Sequence, residues 1–83
     1  MKQTSKDKIV NESLADKIEA ARQLKRDHKH WQAVEAYHKA LFLKEDPQYL
    51  FELGEVYEEL MDNTSASLFY RRTYQLNNSS TAI

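Results

Sequence analysis

The three histidines are the residues of this chain best suited to catalysis or metal binding. His28 and His30 lie two residues apart, and His38 lies on the solvent side of a predicted helix. Residues two apart on a helix point to different sides, so we expect that His28 and His30 cannot hold one metal ion. The sequence also has no glycine-rich phosphate loop and no nucleophile motif. We therefore predict no catalysis, no metal, no cofactor and no small-molecule substrate.

The composition predicts one small helical domain. The 83 residues include one glycine and one proline, too few for the many tight turns of an all-β fold. The absence of cysteine excludes disulfides and thiolate metal sites. No apolar run approaches the roughly 18–20 residues of a membrane span, and the first residues lack the apolar stretch of a signal peptide. We therefore predict a cytoplasmic protein that does not bind membranes. We also predict no binding to nucleic acid, because the net charge of the chain is only −1.

Hydrophobic periodicity predicts four helices with short connections. Ser13, followed by Asp16, resembles a capping box at the start of the first helix. The second helix is expected from Trp31 to about Lys44. The segment between them interrupts the apolar pattern, which indicates a turn. We therefore expect these two helices to form one hairpin.

The clearest boundary in the chain precedes the third helix. Asp46 suits the N-cap, and Pro47 suits the first helical position. A backbone N–H at that position would have no hydrogen-bond partner within the helix, so proline loses nothing by lacking it. A polar turn then leads to a fourth helix that ends near Asn77. The ordered domain is expected at residues 13–77, between flexible tails at 1–12 and 78–83.

The sequence pattern repeats with a period of 33 residues. Inward-facing positions then coincide in size and polarity, as in the pairs Leu24/Tyr57, Ala33/Ala66, Tyr37/Tyr70 and Leu43/Leu76. Ala21 coincides with Gly54, the single glycine of the chain. A mid-helix glycine costs about 1 kcal/mol relative to alanine. We therefore expect that Gly54 lets the third helix pack tightly on the Ala66–Tyr70 face of the fourth.

These positions resemble the tetratricopeptide repeat (TPR), a family of stacked helical hairpins. Its pattern is a large apolar residue, Leu-Gly and Tyr, followed by Ala, an aromatic residue, Ala and Pro. The second unit supplies Leu50, Leu53, Gly54, Tyr57, Ala66, Tyr70 and Thr73. The first unit supplies Ala20, Ala21, Leu24, Ala33, Tyr37, Ala40 and Pro47. The resemblance implies an all-α fold of two antiparallel helix-turn-helix repeats, about 14–46 and 47–79, stacked as a right-handed superhelical fragment.

The resemblance also implies a function, which is protein–protein interaction as an adaptor or scaffold. In this family the first helices of successive units line a groove that binds a peptide or a partner protein. The chain departs from the family pattern at Lys17, Thr73 and Asn78, and His28 and Met61 replace the glycine common between paired helices. The cluster of Lys, Asn and Arg with which some members grip a terminal carboxylate is absent, so that activity is not implied.

The predicted first and third helices carry complementary charges. Four basic residues map onto four acidic ones at the 33-residue offset: Arg22, Lys25, Arg26 and Lys29 onto Glu55, Glu58, Glu59 and Asp62. If the two helices lie side by side, each basic side chain neighbours its acidic counterpart. Three interpretations stay open: a structural ladder of ion pairs, a groove with a basic and an acidic half that binds a peptide, and contact between opposite units of two chains.

The predicted binding surface adds two apolar residues to these charges. Ile18 and Phe51 lie 33 residues apart on the groove-lining face, where an exposed Phe51 would anchor an apolar side chain of a partner. The alternative is that Phe51 packs into the core or against the N-terminal segment. The predicted partner-binding residues are Ile18, Arg22, Lys25, Arg26, Phe51, Glu55, Glu58 and Glu59. Two repeats are expected to leave apolar surface of the fourth helix uncovered, so Phe69 and Tyr74 are the predicted contacts of a homodimer, with a larger partner as the rival. A self-assembling scaffold is the alternative function.

Overall fold

The computed structural model describes the backbone of residues 2–81 and the side chains of residues 14–78. The described backbone consists of four α-helices and contains no strand. The helices are α1 (Lys2–Arg26), α2 (His30–Leu43), α3 (Pro47–Glu59) and α4 (Asn63–Thr81). The predicted all-α fold and the predicted order of four helices are therefore confirmed. None of the described helices is both long enough and apolar enough to cross a membrane.

The helix boundaries are confirmed at α3 and corrected at the two ends of the chain. The Asp46 carboxylate accepts a hydrogen bond of 2.9 Å from the backbone N–H of Gln48, and Pro47 opens α3 as expected. In contrast, α1 begins at Lys2 instead of near Ser13, because no glycine or proline interrupts the segment 2–26. For the same reason α4 continues past residue 77 to Thr81. Flexibility of residues 1–12 and 78–83 stays a prediction, and residues 1, 82 and 83 lie outside the described residues.

The turns inside the two hairpins have the same backbone geometry. His28 and Met61, at equivalent places in the repeat, adopt the left-handed φ values 62° and 64°. In the first turn the N–H of Lys29 donates a hydrogen bond of 2.9 Å to the carbonyl of Leu24. In the second turn the N–H of Asp62 donates a hydrogen bond of 2.9 Å to the carbonyl of Tyr57. This six-residue closure defines the Schellman motif, which usually places glycine at the left-handed position. The 33-residue period is thus a repeat of backbone geometry as well as of residue types.

The helices pack in chain order, with α1 on α2, α2 on α3 and α3 on α4. Two hairpins, α1/α2 and α3/α4, therefore meet through α2 and α3. The buried core comprises Ile18, Ala21, Ala33, Val34, Tyr37, Ala40, Leu53 and Val56. Its small residues lie on α1 and α2, and they let the helix axes approach closely. This packing brings α1 and α3, the first helices of the two hairpins, to the same side of the molecule.

Gly54 lies where α3 crosses α4. A Cβ atom built on Gly54 would lie 2.6 Å from Cε1 and 2.8 Å from Cδ1 of the Tyr70 ring. Those distances are well inside van der Waals contact, so a side chain at this place would force the ring or the helix to move. The prediction that Gly54 permits close packing against the Ala66–Tyr70 face is confirmed. Its counterpart Ala21 is fully buried between α1 and α2.

Candidate functional site

An open groove of about 420 Å³ lies where α1 and α3 run side by side. Its lining residues are Arg22, Lys25, Arg26, Tyr37, Gln48, Phe51, Glu52 and Glu55. This lining includes five of the eight predicted partner-binding residues: Arg22, Lys25, Arg26, Phe51 and Glu55. The sequence pattern therefore located the groove, because residues at the same place in each repeat come to lie on one face.

Three of the predicted groove residues lie elsewhere. Ile18 is only 7% exposed and belongs to the core, so it does not face a partner as predicted, because the α1 face that carries it turns toward the core. Glu58 accepts a hydrogen bond of 2.6 Å from the Tyr70 hydroxyl on α4. Glu59 lies 2.9 Å from Nε2 of His30 at the start of α2. Both carboxylates are thus held by the second helices of the hairpins instead of lining the groove.

The floor of the groove is a polar network centred on the carboxylate of Glu52. Arg22 donates to it from Nε at 2.9 Å and from Nη2 at 3.0 Å. The hydroxyl of Tyr37 donates at 2.8 Å, and the side-chain amide of Gln48 donates at 3.0 Å. Each carboxylate oxygen therefore accepts two hydrogen bonds, and the network connects α1, α2 and α3 at one point.

The network also changes the acidity of its members. Burial alone would raise the pKa of the Glu52 carboxyl, but the hydrogen bonds from Arg22, Gln48 and Tyr37 together outweigh it and lower this pKa. Burial, reinforced by the hydrogen bond to Glu52, raises the pKa of Tyr37 well above its ordinary value. The hydrogen bonds with Glu52 raise the pKa of Arg22. Glu52 therefore remains a carboxylate and Arg22 a cation at neutral pH.

Sequence reasoning missed the roles of Glu52, Tyr37 and Gln48. Tyr37 was expected only to fill the core, and it is fully buried, but its hydroxyl reaches the groove floor. One signal in the sequence did point to Glu52. Gln48 precedes it by four residues, a spacing that places two side chains on one face of a helix.

The ion pairs between α1 and α3 form in a different register from the predicted one. Arg22 pairs with Glu52 at 2.9 Å and Lys25 pairs with Glu55 at 3.3 Å, which is an offset of 30 residues instead of 33. Helical side chains lean toward the N-terminus of their own helix. The long basic side chains of α1 therefore reach the acidic residue one turn earlier on the parallel helix α3.

Two further charges of the predicted ladder, Arg26 and Asp62, have other partners. Arg26 pairs within its own helix, with Glu19 at 3.4 Å, and also donates to Gln23 at 2.9 Å. Asp62 accepts from the backbone N–H of Ser65 at 3.2 Å and thereby caps α4, and it also accepts from the Ser65 hydroxyl at 2.7 Å. Among the described side chains, none of the four predicted pairs at offset 33 forms. The one-turn shift leaves Arg26 as a basic residue of the groove without an acidic partner on α3.

Phe51 lies at the rim of the groove and is 42% exposed. Its ring centroid is 5.4 Å from that of Tyr70, so one side of the ring packs on α4 and the rest meets solvent. Phe51 also lines a second open cleft of about 470 Å³, together with Asp46, Pro47, Gln48, Thr73 and Asn77. The alternative that Phe51 packs into the core is therefore wrong. Its ring is accessible from two clefts.

The two predicted self-association residues differ in exposure. Tyr74 is 70% exposed on α4, as predicted. Phe69 is half-buried, because its ring stacks on that of Tyr57 at 5.4 Å and meets the edge of the His38 ring at 5.7 Å. This corrects the prediction that Phe69 is uncovered. Among the large apolar side chains that the structure describes, Phe42 on α2 has the highest fractional exposure, at 90%.

The histidine geometry also differs from the prediction. His28 is not helical, and its left-handed φ of 62° turns its ring toward His30, with 5.9 Å between the ring centroids. Nε2 of His30 lies 2.9 Å from a carboxylate oxygen of Glu59. The argument that the two histidines point to different sides assumed one continuous helix, and it is wrong. His38 is separate from this group, and burial against its neighbours lowers its pKa.

The described geometry defines a class of protein, an all-α pair of helical hairpins repeated every 33 residues with a polar groove between their first helices. No protein-family model matches the chain, and neither a curated protein nor a solved structure matches it.

Proposed function

We propose that this chain is a TPR-like interaction module that binds a peptide segment of a partner protein in the groove between α1 and α3, without catalysis. The observation that carries the proposal is Phe51, an aromatic side chain that stays 42% exposed at the rim of a charged groove. Burying an aromatic ring is favourable, so a partner that covers Phe51 gains binding energy. Aromatic anchors surrounded by polar contacts are typical of binding hot spots.

The groove combines a fixed floor with exchangeable charges at its rim. The network of Arg22, Tyr37 and Glu52 holds the floor in one arrangement, which lowers the cost of ordering the site on binding. The rim pair Arg26–Glu19 is largely exposed, and the rim pair Lys25–Glu55 is partly exposed. Exposed pairs contribute only about 0–1 kcal/mol, so charged groups of a partner can replace them at little cost.

This arrangement favours a particular kind of peptide. A large apolar residue would pack on Phe51, and an acidic residue nearby would pair with Lys25 or Arg26 on the α1 wall. A basic residue would pair with Glu55 on the α3 wall. Among these charges Arg26 is the best placed to recognise a carboxylate, since its contacts are with residues of its own helix.

Selection of peptides from a phage-displayed random library tests this proposal without knowledge of the natural partner. Peptides selected on the wild-type chain should share an apolar residue and an acidic residue at a fixed spacing. Phe51→Ala and Arg26→Glu should each weaken the binding of a selected peptide by about tenfold or more, because a hot-spot residue carries more than about 1.4 kcal/mol. Fluorescence anisotropy with a labelled peptide measures the change.

Arg72→Ala provides the matched control. Arg72 forms a two-bond ion pair with Glu45, at 2.9 and 3.0 Å, on α4 and away from the groove, so its removal should leave peptide affinity unchanged. Circular dichroism melting of all three variants checks that the fold is retained. If Phe51→Ala and Arg26→Glu bind every selected peptide as tightly as the wild type, the groove is not the binding site.

A second candidate function is a self-assembling scaffold, which the exposed apolar side chains favour. Tyr74 is 70% exposed and Phe42 is 90% exposed, and a homodimer would cover one of these surfaces. Light scattering after size exclusion should then give twice the mass of one chain, and Tyr74→Glu or Phe42→Glu should restore the monomer. A strict monomer at high micromolar concentration would contradict this function while leaving peptide binding possible.

We also propose a cytoplasmic location and no affinity for nucleic acid. The chain has no cysteine that would need an oxidising compartment, and its net charge is −1. Filter binding to DNA and RNA at low salt tests the lack of affinity for nucleic acid, and retention of either nucleic acid would contradict it. Fluorescence microscopy of the full chain expressed with a fluorescent fusion tests the cytoplasmic location.

A further inference from the structure

The turn after α1 brings three metal-ligating side chains together. The Schellman turn fixes His28 in the left-handed conformation, with hydrogen bonds from the N–H of His28 to Lys25 at 3.1 Å and from that of Lys29 to Leu24 at 2.9 Å. His30 opens α2 immediately afterwards, and Glu59 closes α3. One ligand atom from each of His28, His30 and Glu59 lies within 4.8 Å of the other two.

The distances and the exposure of this cluster suit an ion that draws the side chains inward. His30 and Glu59 are already in contact at 2.9 Å. Two ligand atoms bound about 2.0–2.1 Å from a tetrahedral zinc ion lie about 3.3 Å apart. The three ligand atoms lie within 4.8 Å of one another, so the third ligand has to approach by at most about 1.5 Å. His28 and Glu59 are exposed and His30 is partly buried. Rotation of the two exposed side chains can therefore close the site without moving the backbone.

We propose that His28, His30 and Glu59 bind a Zn²⁺ ion. Two imidazoles and one carboxylate are a donor set that zinc accepts at catalytic sites, where a water or another ligand takes the fourth position. Imidazole also disfavours Mg²⁺ and Ca²⁺, which prefer oxygen ligands alone. The fourth position at this exposed site is open to water.

The site would join the two hairpins at the end opposite to the α2–α3 loop. His28 and His30 belong to the first hairpin, while Glu59 belongs to the second. A hydrogen bond between His30 and Glu59 spans this place. Zinc would replace it with three coordinate bonds. A ligand that binds only the folded chain raises its stability, and it does so further as the free ligand concentration exceeds the Kd. Zinc should therefore stabilise the contact between the two hairpins.

Zinc titration of the full 83-residue chain, prepared without a histidine tag, tests the proposal. Isothermal titration calorimetry should show one Zn²⁺ per chain. The thermal unfolding midpoint, followed by circular dichroism, should rise when zinc is added and fall back to its original value after a chelator is added. His28→Asn and Glu59→Gln should each weaken zinc affinity at least about tenfold, since even indirect supports of a metal cost that much when removed. Asparagine is chosen because it tolerates the left-handed backbone at position 28.

His38→Ala is the matched control, because His38 is the remaining histidine of the chain and lies outside the cluster. It should keep the wild-type affinity for zinc. Melting of each variant without zinc separates loss of a ligand from loss of the fold. Absence of binding at one ion per chain overturns the proposal, and so does binding that survives both His28→Asn and Glu59→Gln. The peptide-binding groove is not involved, so neither result bears on the proposed function.

Discussion

Arg22 on α1 and Glu52 on α3 form two parallel hydrogen bonds, of 2.9 and 3.0 Å, across the interface between the two hairpins. This paired geometry is the strong form of an arginine–carboxylate contact. The Glu52 side chain is also the less exposed partner, at 13%. The contact therefore sets the relative position of α1 and α3, and with it the shape of the groove.

Replacement of the Glu52 carboxylate should destabilise the protein. In Glu52→Gln the ion pair with Arg22 is lost, and the new amide nitrogen cannot accept the second hydrogen bond of the arginine. The hydroxyl of Tyr37 keeps only a neutral acceptor. We expect a loss of about 1–2 kcal/mol in the free energy of unfolding, after a discount for the partly exposed arginine. Urea unfolding followed by circular dichroism measures it, and Arg72→Ala, in the exposed pair with Glu45, should have the smaller effect. Equal midpoints for Glu52→Gln and the wild type would contradict the central role of this network.

The same network predicts a pH dependence of stability. Because the folded protein lowers the pKa of Glu52, the unfolded chain binds the proton more readily. The stabilisation by this carboxylate is complete above its unfolded pKa of about 4.3, and it is lost as the pH falls through the lower, folded pKa. The free-energy difference between the wild type and Glu52→Gln should therefore shrink as the pH is lowered from 7 toward 3. A constant difference over this range would mean that the charge of Glu52 makes no contribution.

Close packing at Gly54 predicts opposite effects of one substitution in two backgrounds. In the wild type, Gly54→Ala should destabilise by about 1–3 kcal/mol, because the new Cβ would lie 2.6 Å from the Tyr70 ring. In a Tyr70→Ala background the same change should stabilise by about 1 kcal/mol, the helix propensity of alanine over glycine. A double-mutant cycle of urea unfolding measures both effects. If Gly54→Ala stabilises the wild type as well, the close approach is not what excludes a side chain here.

The left-handed turn residue Met61 predicts a stabilising substitution. Its φ of 64° is costly for a side chain with a Cβ, and Met61 is 83% exposed, so little packing is lost when it is removed. Met61→Gly should raise the free energy of unfolding by about 1 kcal/mol. Met61→Ala, which removes the same side chain but keeps the Cβ, should give no gain. Equal thermal midpoints for the two variants would show that backbone strain at position 61 is not the cause.

The sequence alone determined the features that depend on neighbouring residues. The all-α fold follows from apolar periodicity and from the scarcity of glycine and proline, and Asp46 with Pro47 determines the start of α3 through local capping. The single glycine predicted the close contact with α4. These predictions succeed because helix caps, turns and helix faces are set within a few residues of chain.

Only the tertiary structure decided which side chains meet across helices. It buries Ile18, shifts the ion pairs by one turn to Arg22–Glu52, and brings His28 to within reach of Glu59. Each of these outcomes depends on how far one helix is displaced along another and on the direction in which long side chains lean, and a displacement of one turn changes every partner. A repeat period specifies which positions are equivalent, but the packing of the two hairpins specifies which of them touch.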